Sequence, residues 1–158
     1  MAKFAANTLK AKKAAIMLDF NSPYSRGLTE FFEASFKKLG GEIVDKQSYT
    51  QGDRDYKGQL TAIRSKNPDV IYVPGYYGEV GVIAKQAKQL DIKAPMLGGD
   101  GWDSTQLWDL GGDAFGKYVD EEQLARGLGG FSLGLGLGAH VIERNAFGQA
   151  WPNTVQRL

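Results

Sequence analysis

Asp100 stands in the run Gly98-Gly99-Asp100-Gly101, a carboxylate set among residues that let backbone N–H and C=O groups come close to a ligand. Ser22 and Tyr24 fall within residues 21–25, and Tyr76 and Tyr77 within residues 75–78, so two other short segments offer hydroxyls and aromatic faces. One anion beside several tyrosines suits a small ligand that carries an ammonium group and an apolar part. The charge-assisted hydrogen bond would orient such a ligand and the rings would enclose its side chain. Each residue also has a plainer use. Asp tolerates turn geometry and caps its own loop, Tyr77 could cover a helix N-terminus, and Tyr72 belongs to an apolar run that packs in a sheet.

Other chemistry is excluded by what the chain lacks. It has no Cys and one His, His140, which removes thiolate nucleophiles and Cys-based metal sites and leaves triads or paired histidine ligands without members. No residue set offers a nucleophile with its base or a metal cage, so neither an enzyme nor a metal or cofactor is expected. Neither G-x-G-x-x-G after the first strand nor G-x-x-x-x-G-K-[ST] occurs, which leaves phosphate binding little support. Nineteen Lys and Arg against 18 Asp and Glu give a net charge of +1, with the basic residues scattered, so nucleic acid and anionic membranes are poor partners. At 158 residues and 42% hydrophobic, the chain has the size and composition of one ordinary domain. Its start, MAKFAANTLKAKKAA, carries charges without the apolar run of a signal peptide, so as written the chain would stay in the cytoplasm where it is made.

The elements that must position Tyr24, Tyr76 and Asp100 read as alternating strands and helices. Residues 14–18 form a short continuous apolar run ending in polar residues and Pro23, which is how a buried parallel strand ends. Leu28, Phe31, Phe32, Phe36 and Leu39 share one face of a following helix, stopped by Gly40-Gly41. Residues 42–49 predict a weaker strand at a sheet edge. Asp53 and Asp55 are candidate caps for a helix with Tyr56, Leu60 and Ile63 on one side, ended by Asn67-Pro68. Residues 70–73 are the clearest strand, bounded by Pro68 and Pro74. A helix through Val80, Ile83, Ala84, Ala87 and Leu90, a short strand at 95–97, and a helix capped by Asp103 or Ser104 complete four βα units. Such alternation predicts an open parallel sheet covered on both faces, with ligands at the C-terminal ends of the strands. Those ends are the three segments at 21–25, 75–78 and 98–102.

Composition shifts near residues 115–117. The chain holds 21 Gly, about twice average usage, and six of them crowd into residues 127–138. Gly130, Gly134 and Gly138 have the four-residue spacing of a close-packed membrane helix, but Arg126 and His140 argue against a span. The favoured reading is a helix over 120–128, with Asp120, Glu121 and Glu122 in its first turn, and a fifth strand over 133–137.

Four motifs carry a resemblance: S-P-Y-S-x-G at residues 22–27, Y-x-x-G-D-x-D-[FY] at 49–56, N-P-D-V-I-Y-V-P-G-Y-Y at 67–77, and L-G-G-D-G-W-D at 97–103. In this order and spacing, residues 4–116 resemble type I periplasmic solute-binding proteins, the branched-chain amino-acid receptors of ABC transporters. The matched part is most of that family's second lobe. The resemblance implies a flavodoxin-like, three-layer open parallel α/β sheet, one lobe of a receptor whose ligand lies between two. It implies that Tyr24 and Tyr76 contact an amino acid and that Asp100 receives its α-ammonium, with Ser22, Tyr77 and Trp102 ranked lower as cleft neighbours. An ABC permease as partner and a periplasmic location are likewise implications of the resemblance.

The resemblance leaves unmatched the family's first lobe and signal peptide, which the chain is expected to lack, and residues 117–158, which do not resemble it. The expected organisation is a ligand-binding lobe over 1–116 and a Gly-rich tail over 117–158 that completes the same domain. A lobe lacking its partner is expected to bind weakly and to cover its exposed face by forming a homodimer. The competing reading is a truncated or chimeric α/β scaffold with a vestigial cleft, whose activity is confined to folding and self-association.

Overall fold

The computed structural model describes residues 1–115 and 131–132. A π-helical turn at Phe4–Thr8 precedes β1 (Lys13–Asp19), α1 (Pro23–Lys38), β2 (Glu42–Tyr49), α2 (Lys57–Ser65), β3 (Val70–Tyr72), α3 (Tyr77–Gln89), β4 (Met96–Leu97), α4 (Gln106–Gly111) and β5 (Phe131–Ser132). Two 3-10 turns, Asp100–Trp102 and Gly112–Phe115, flank α4. The strands form one sheet in the order β2-β1-β3-β4-β5, and every neighbouring pair is parallel. The predicted α/β architecture is therefore present, with β2 at the edge where its polar alternation placed it.

Strand β1 lies at the middle of two cores, and its alternation separates them. Ala15 and Met17 point into a cluster with Leu60 and Ile63 of α2, Val80 and Ile83 of α3, and Leu107 of α4. Ala14, Ile16 and Leu18 point the other way, to Phe32 and Phe36 of α1 and to Ala2 and Ala5 of the N-terminal segment. Helices thus cover both faces, as parallel strands buried on both sides require. Asp69 ties the sheet at its opposite end, its Oδ2 accepting the N–H groups of Lys12 and Lys13 at 2.8 Å each.

Helix α1 is fixed at both ends. Ser22 Oγ accepts the Ser25 N–H at 3.2 Å and Pro23 occupies the first helical turn, where its missing N–H costs nothing. At the C-terminus Gly40 adopts φ +83°, and its N–H and that of Gly41 bond to the carbonyls of Lys37 and Phe36 at 3.0 and 2.9 Å. That pair is a Schellman motif. Helix α3 ends in the same way, with Asp91 at φ +56° in the glycine position.

Several expectations need correction. The buried face of α1 is Ser25, Thr29, Phe32 and Phe36, whereas Phe31 is 76% exposed and Leu39 is 39% exposed. The five apolar positions span too wide an arc for one face to bury, and the sheet takes the half that meets Tyr72. Asp53 caps no helix: its Oδ2 accepts the Thr50 N–H at 2.9 Å and closes the preceding turn, while Tyr56 stands at the start of α2 and Asp55 Oδ1 meets the Lys57 N–H at 3.2 Å. The described fifth strand is Phe131–Ser132, paired to Met96 and Leu97. The helix expected over 120–128, the strand expected over 133–137, His140 and the rest of the tail lie outside the described residues.

Candidate functional site

Three chain segments meet at the C-terminal ends of β1, β3 and β4. The first carries Tyr24, the second residue of α1, which the Ser22 cap and Pro23 hold in place. The second carries Tyr76, which leads into α3 and is 40% exposed. The third is the 3-10 turn beginning at Asp100, whose side chain is exposed. Adjacent parallel strands bring these segments together although Tyr24 and Asp100 lie 76 positions apart.

Their contacts are specific. The Tyr24 hydroxyl donates to Asp100 Oδ1 at 2.5 Å and accepts the Gly101 N–H at 3.1 Å. The Tyr24 and Tyr76 rings stack, with centroids 5.2 Å apart and planes inclined by 23°. Burial, then the hydrogen bond to Asp100, push the Tyr24 phenol up to about 12, against a smaller opposing effect of the Gly101 amide. Tyr24 therefore holds its proton at neutral pH and presents it to a carboxylate.

Close approach of the loops depends on two glycines in particular. A Cβ on Gly101 would lie 2.6 Å from the Gly75 carbonyl oxygen and 3.3 Å from the Tyr24 hydroxyl. One on Gly98 would fall 2.1 Å from the Trp102 ring. Trp102 itself is fully buried, and its Nε1 donates to the Val73 carbonyl at 3.0 Å. It lies beneath the Asp100 turn and packs in the larger core. Beneath the β3 loop, Tyr49 is 3% exposed and edge-on to Tyr56, with a hydroxyl that has no partner among the described residues.

The remaining sequence-predicted residues are placed as follows. Ser22 is half-buried, with its hydroxyl committed to the helix cap. Tyr77 is the first residue of α3 and packs, half-buried, against the larger core. Tyr72 is 3% exposed and stacks on Phe32 at 4.1 Å, as its strand position predicts. The Gly101 amide, bonded to the Tyr24 hydroxyl, has no sequence signature. Nor does a hollow of about 370 Å³ on the α1 flank, bounded by Leu28, Phe31, Phe32, Tyr72 and the run Gly98–Asp100. It shares Asp100 with the tyrosine pair but opens on the side of the sheet covered by α1.

The arrangement can do limited chemistry. Asp100 is an anion with one oxygen held by a neutral phenol, beside two stacked aromatic faces; it can accept hydrogen bonds from a cation and shelter apolar groups. Among the described residues no group of three or more His, Cys, Asp or Glu side chains is placed to hold a metal ion. Among the same residues no helix is long and apolar enough to cross a membrane.

A parallel α/β unit with an open binding edge at its strand ends is the form of one lobe of a bilobal binding protein. The sequence profile of the periplasmic binding protein family matches residues 1–121, and the chain belongs to that family. The Leu/Ile/Val-binding protein BraC3 of Rhizobium johnstonii is 36% identical over 118 residues, which is 75% of this chain and 32% of the relative. The solved leucine binding protein LivK of Thermotoga maritima superposes with a TM-score of 0.71 at 41% identity, over 73% of this chain and 33% of its own. The branched-chain amino acid transporter substrate binding protein LivJ of Streptococcus pneumoniae, solved with isoleucine, gives 0.67 at 35% identity over 70% and 31%. The chain thus spans about a third of the length of the relatives it matches.

Proposed function

We propose that this chain is a non-catalytic lobe that recognises an apolar, branched-chain amino acid for an ABC transporter. Tyr24 and Tyr76 line the ligand's side chain, Asp100 receives the α-ammonium, and Ser22, Tyr77 and Trp102 rank lower, as neighbours that shape the cleft. The observation that carries the reading is the Asp100 carboxylate, placed by Tyr24 at the strand ends beside two stacked rings. The names of BraC3, LivK and LivJ support it, since each describes a protein for leucine or its branched-chain kin. The reading extends to a permease as partner and to the periplasm as the place of action. Residues 1–116 form the binding lobe, the tail 117–158 completes it, and two copies associate through the face where the relatives have a second lobe.

An amide NMR titration of the full chain with leucine, isoleucine and valine, with a sugar as control, tests the reading. Amide shifts confined to the segments around Tyr24, Tyr76 and Asp100 are expected, at millimolar ligand because one lobe cannot enclose it. Asp100→Ala should abolish them, and unchanged binding would refute its role. A second reading is a folded scaffold with a vestigial cleft, in which Tyr24 already occupies Asp100 Oδ1. Dispersed peaks that ignore every amino acid would favour it.

A further inference from the structure

We infer that Tyr24 is a positioning residue: its hydroxyl, fastened to Asp100 Oδ1 and to the Gly101 N–H, holds the carboxylate so that Oδ2 is the oxygen offered to a ligand's ammonium. This rests on the amino-acid reading above, in which Tyr24 was assigned a contact of its own. The geometry divides that assignment. The hydroxyl proton is committed to Asp100 at 2.5 Å and an oxygen lone pair to Gly101 at 3.1 Å, so the polar end of Tyr24 is engaged before any ligand arrives. What remains for a ligand is the ring, stacked on Tyr76.

Asp100 needs such a support. It is exposed at the first position of a single 3-10 turn, and among the described residues no other hydrogen bond reaches its carboxylate. An exposed aspartate on a glycine-flanked turn samples several rotamers and is held by water; a neutral phenol at 2.5 Å removes that freedom before binding and lowers its entropic cost. The backbone is built for the clasp. A Cβ on Gly99 would sit 2.8 Å from the Tyr24 hydroxyl, and one on Gly101 at 3.3 Å from it, so alanine at either position crowds the oxygen that makes the link.

The test separates this role from ring contact. Affinities of the full chain for leucine and for 4-methylpentanoate, which is leucine without its ammonium, are measured by NMR for the wild type and for Tyr24→Phe. Phenylalanine keeps the ring stacked and removes the clasp. The leucine preference should fall about tenfold, while 4-methylpentanoate binding changes by less than about twofold. An unchanged preference would overturn the inference, and so would an equal loss for both ligands in a variant whose amide spectrum stays dispersed.

A ligand-free measurement keeps the two readings apart. Tyrosine ring carbons are followed by NMR against pH, with Tyr24 assigned by its absence in Tyr24→Phe. In Asp100→Asn, Tyr24 should ionise about one pH unit lower than in the wild type, because burial still acts but the anion is gone. Equal titration in both proteins would overturn the clasp whether or not leucine binds. Binding of neither ligand by the wild type would sink the amino-acid reading and leave this titration to decide for or against the clasp.

Discussion

At the scale of single residues, the candidate site is a matter of which atoms are already spoken for. Asp100 has one oxygen bound and Tyr24 has both its donor and an acceptor position used, so what the pair leaves free is one carboxylate oxygen and a ring face. The same pair has a consequence at high pH. Tyr24 ionises near 10.0 when unfolded and at about 12 when folded, so the unfolded chain sheds that proton first. Stability that is complete below pH about 10 should therefore fall as pH rises from about 10 to about 12. Burial moves Tyr49, Tyr56 and Tyr72 in the same direction and adds to the loss. Urea midpoints at pH about 9 and about 11 check this, with a lower midpoint expected at the higher pH; equal midpoints would contradict it.

At the scale of elements, α1 matters because it carries Tyr24 on its first turn. Ser22→Ala removes the oxygen that accepts the Ser25 N–H and should cost about 1 kcal/mol. Gly40→Ala should cost a similar amount, about 1 kcal/mol, because φ +83° places a side chain in the left-handed region. Denaturant midpoints measure both, and the two should be additive, since they sit at opposite ends of a 16-residue helix. Leucine binding separates them further: the Ser22 change should weaken it through the tilt of Tyr24, whereas the Gly40 change should leave it as it was. The element boundaries were readable because their signals are local, as in Ser22-Pro23, Gly40-Gly41 and Asn67-Pro68. The buried face of α1 was less so, since Phe31 and Phe32 are equally apolar and it is tertiary packing, the stack on Tyr72 included, that selects Phe32.

At the scale of the whole molecule, the described residues form a sheet with helices on both faces. Phe20, 61% exposed, and Tyr76, 40% exposed, stand at the C-terminal ends of β1 and β3, where a bilobal protein would place its other half. Exposed apolar groups of this kind favour association, and the chain should sediment as a dimer that dissociates on dilution. A monomer at every concentration would remove the dimer from the proposal.

Local pattern was enough to read the four strands and helices between residues 13 and 111 in their order, to exclude thiol and paired-histidine chemistry, and to single out the segments at 21–25, 75–78 and 98–102. These follow from local properties: hydrophobic period, proline and glycine positions, and which side chains are present at all. It also put Tyr24, Tyr76 and Asp100 at the C-terminal ends of neighbouring strands, because parallel strands with helical crossovers end together, although α1 begins early enough to hold Tyr24 in its first turn. Only the tertiary structure decided that Tyr24 grips Asp100, that the Gly101 amide completes the grip, and that Trp102 is buried beneath the turn. Those contacts join residues up to 77 positions apart through strand register and glycine-permitted close approach, and no local pattern encodes a distance of a few ångströms between separate loops.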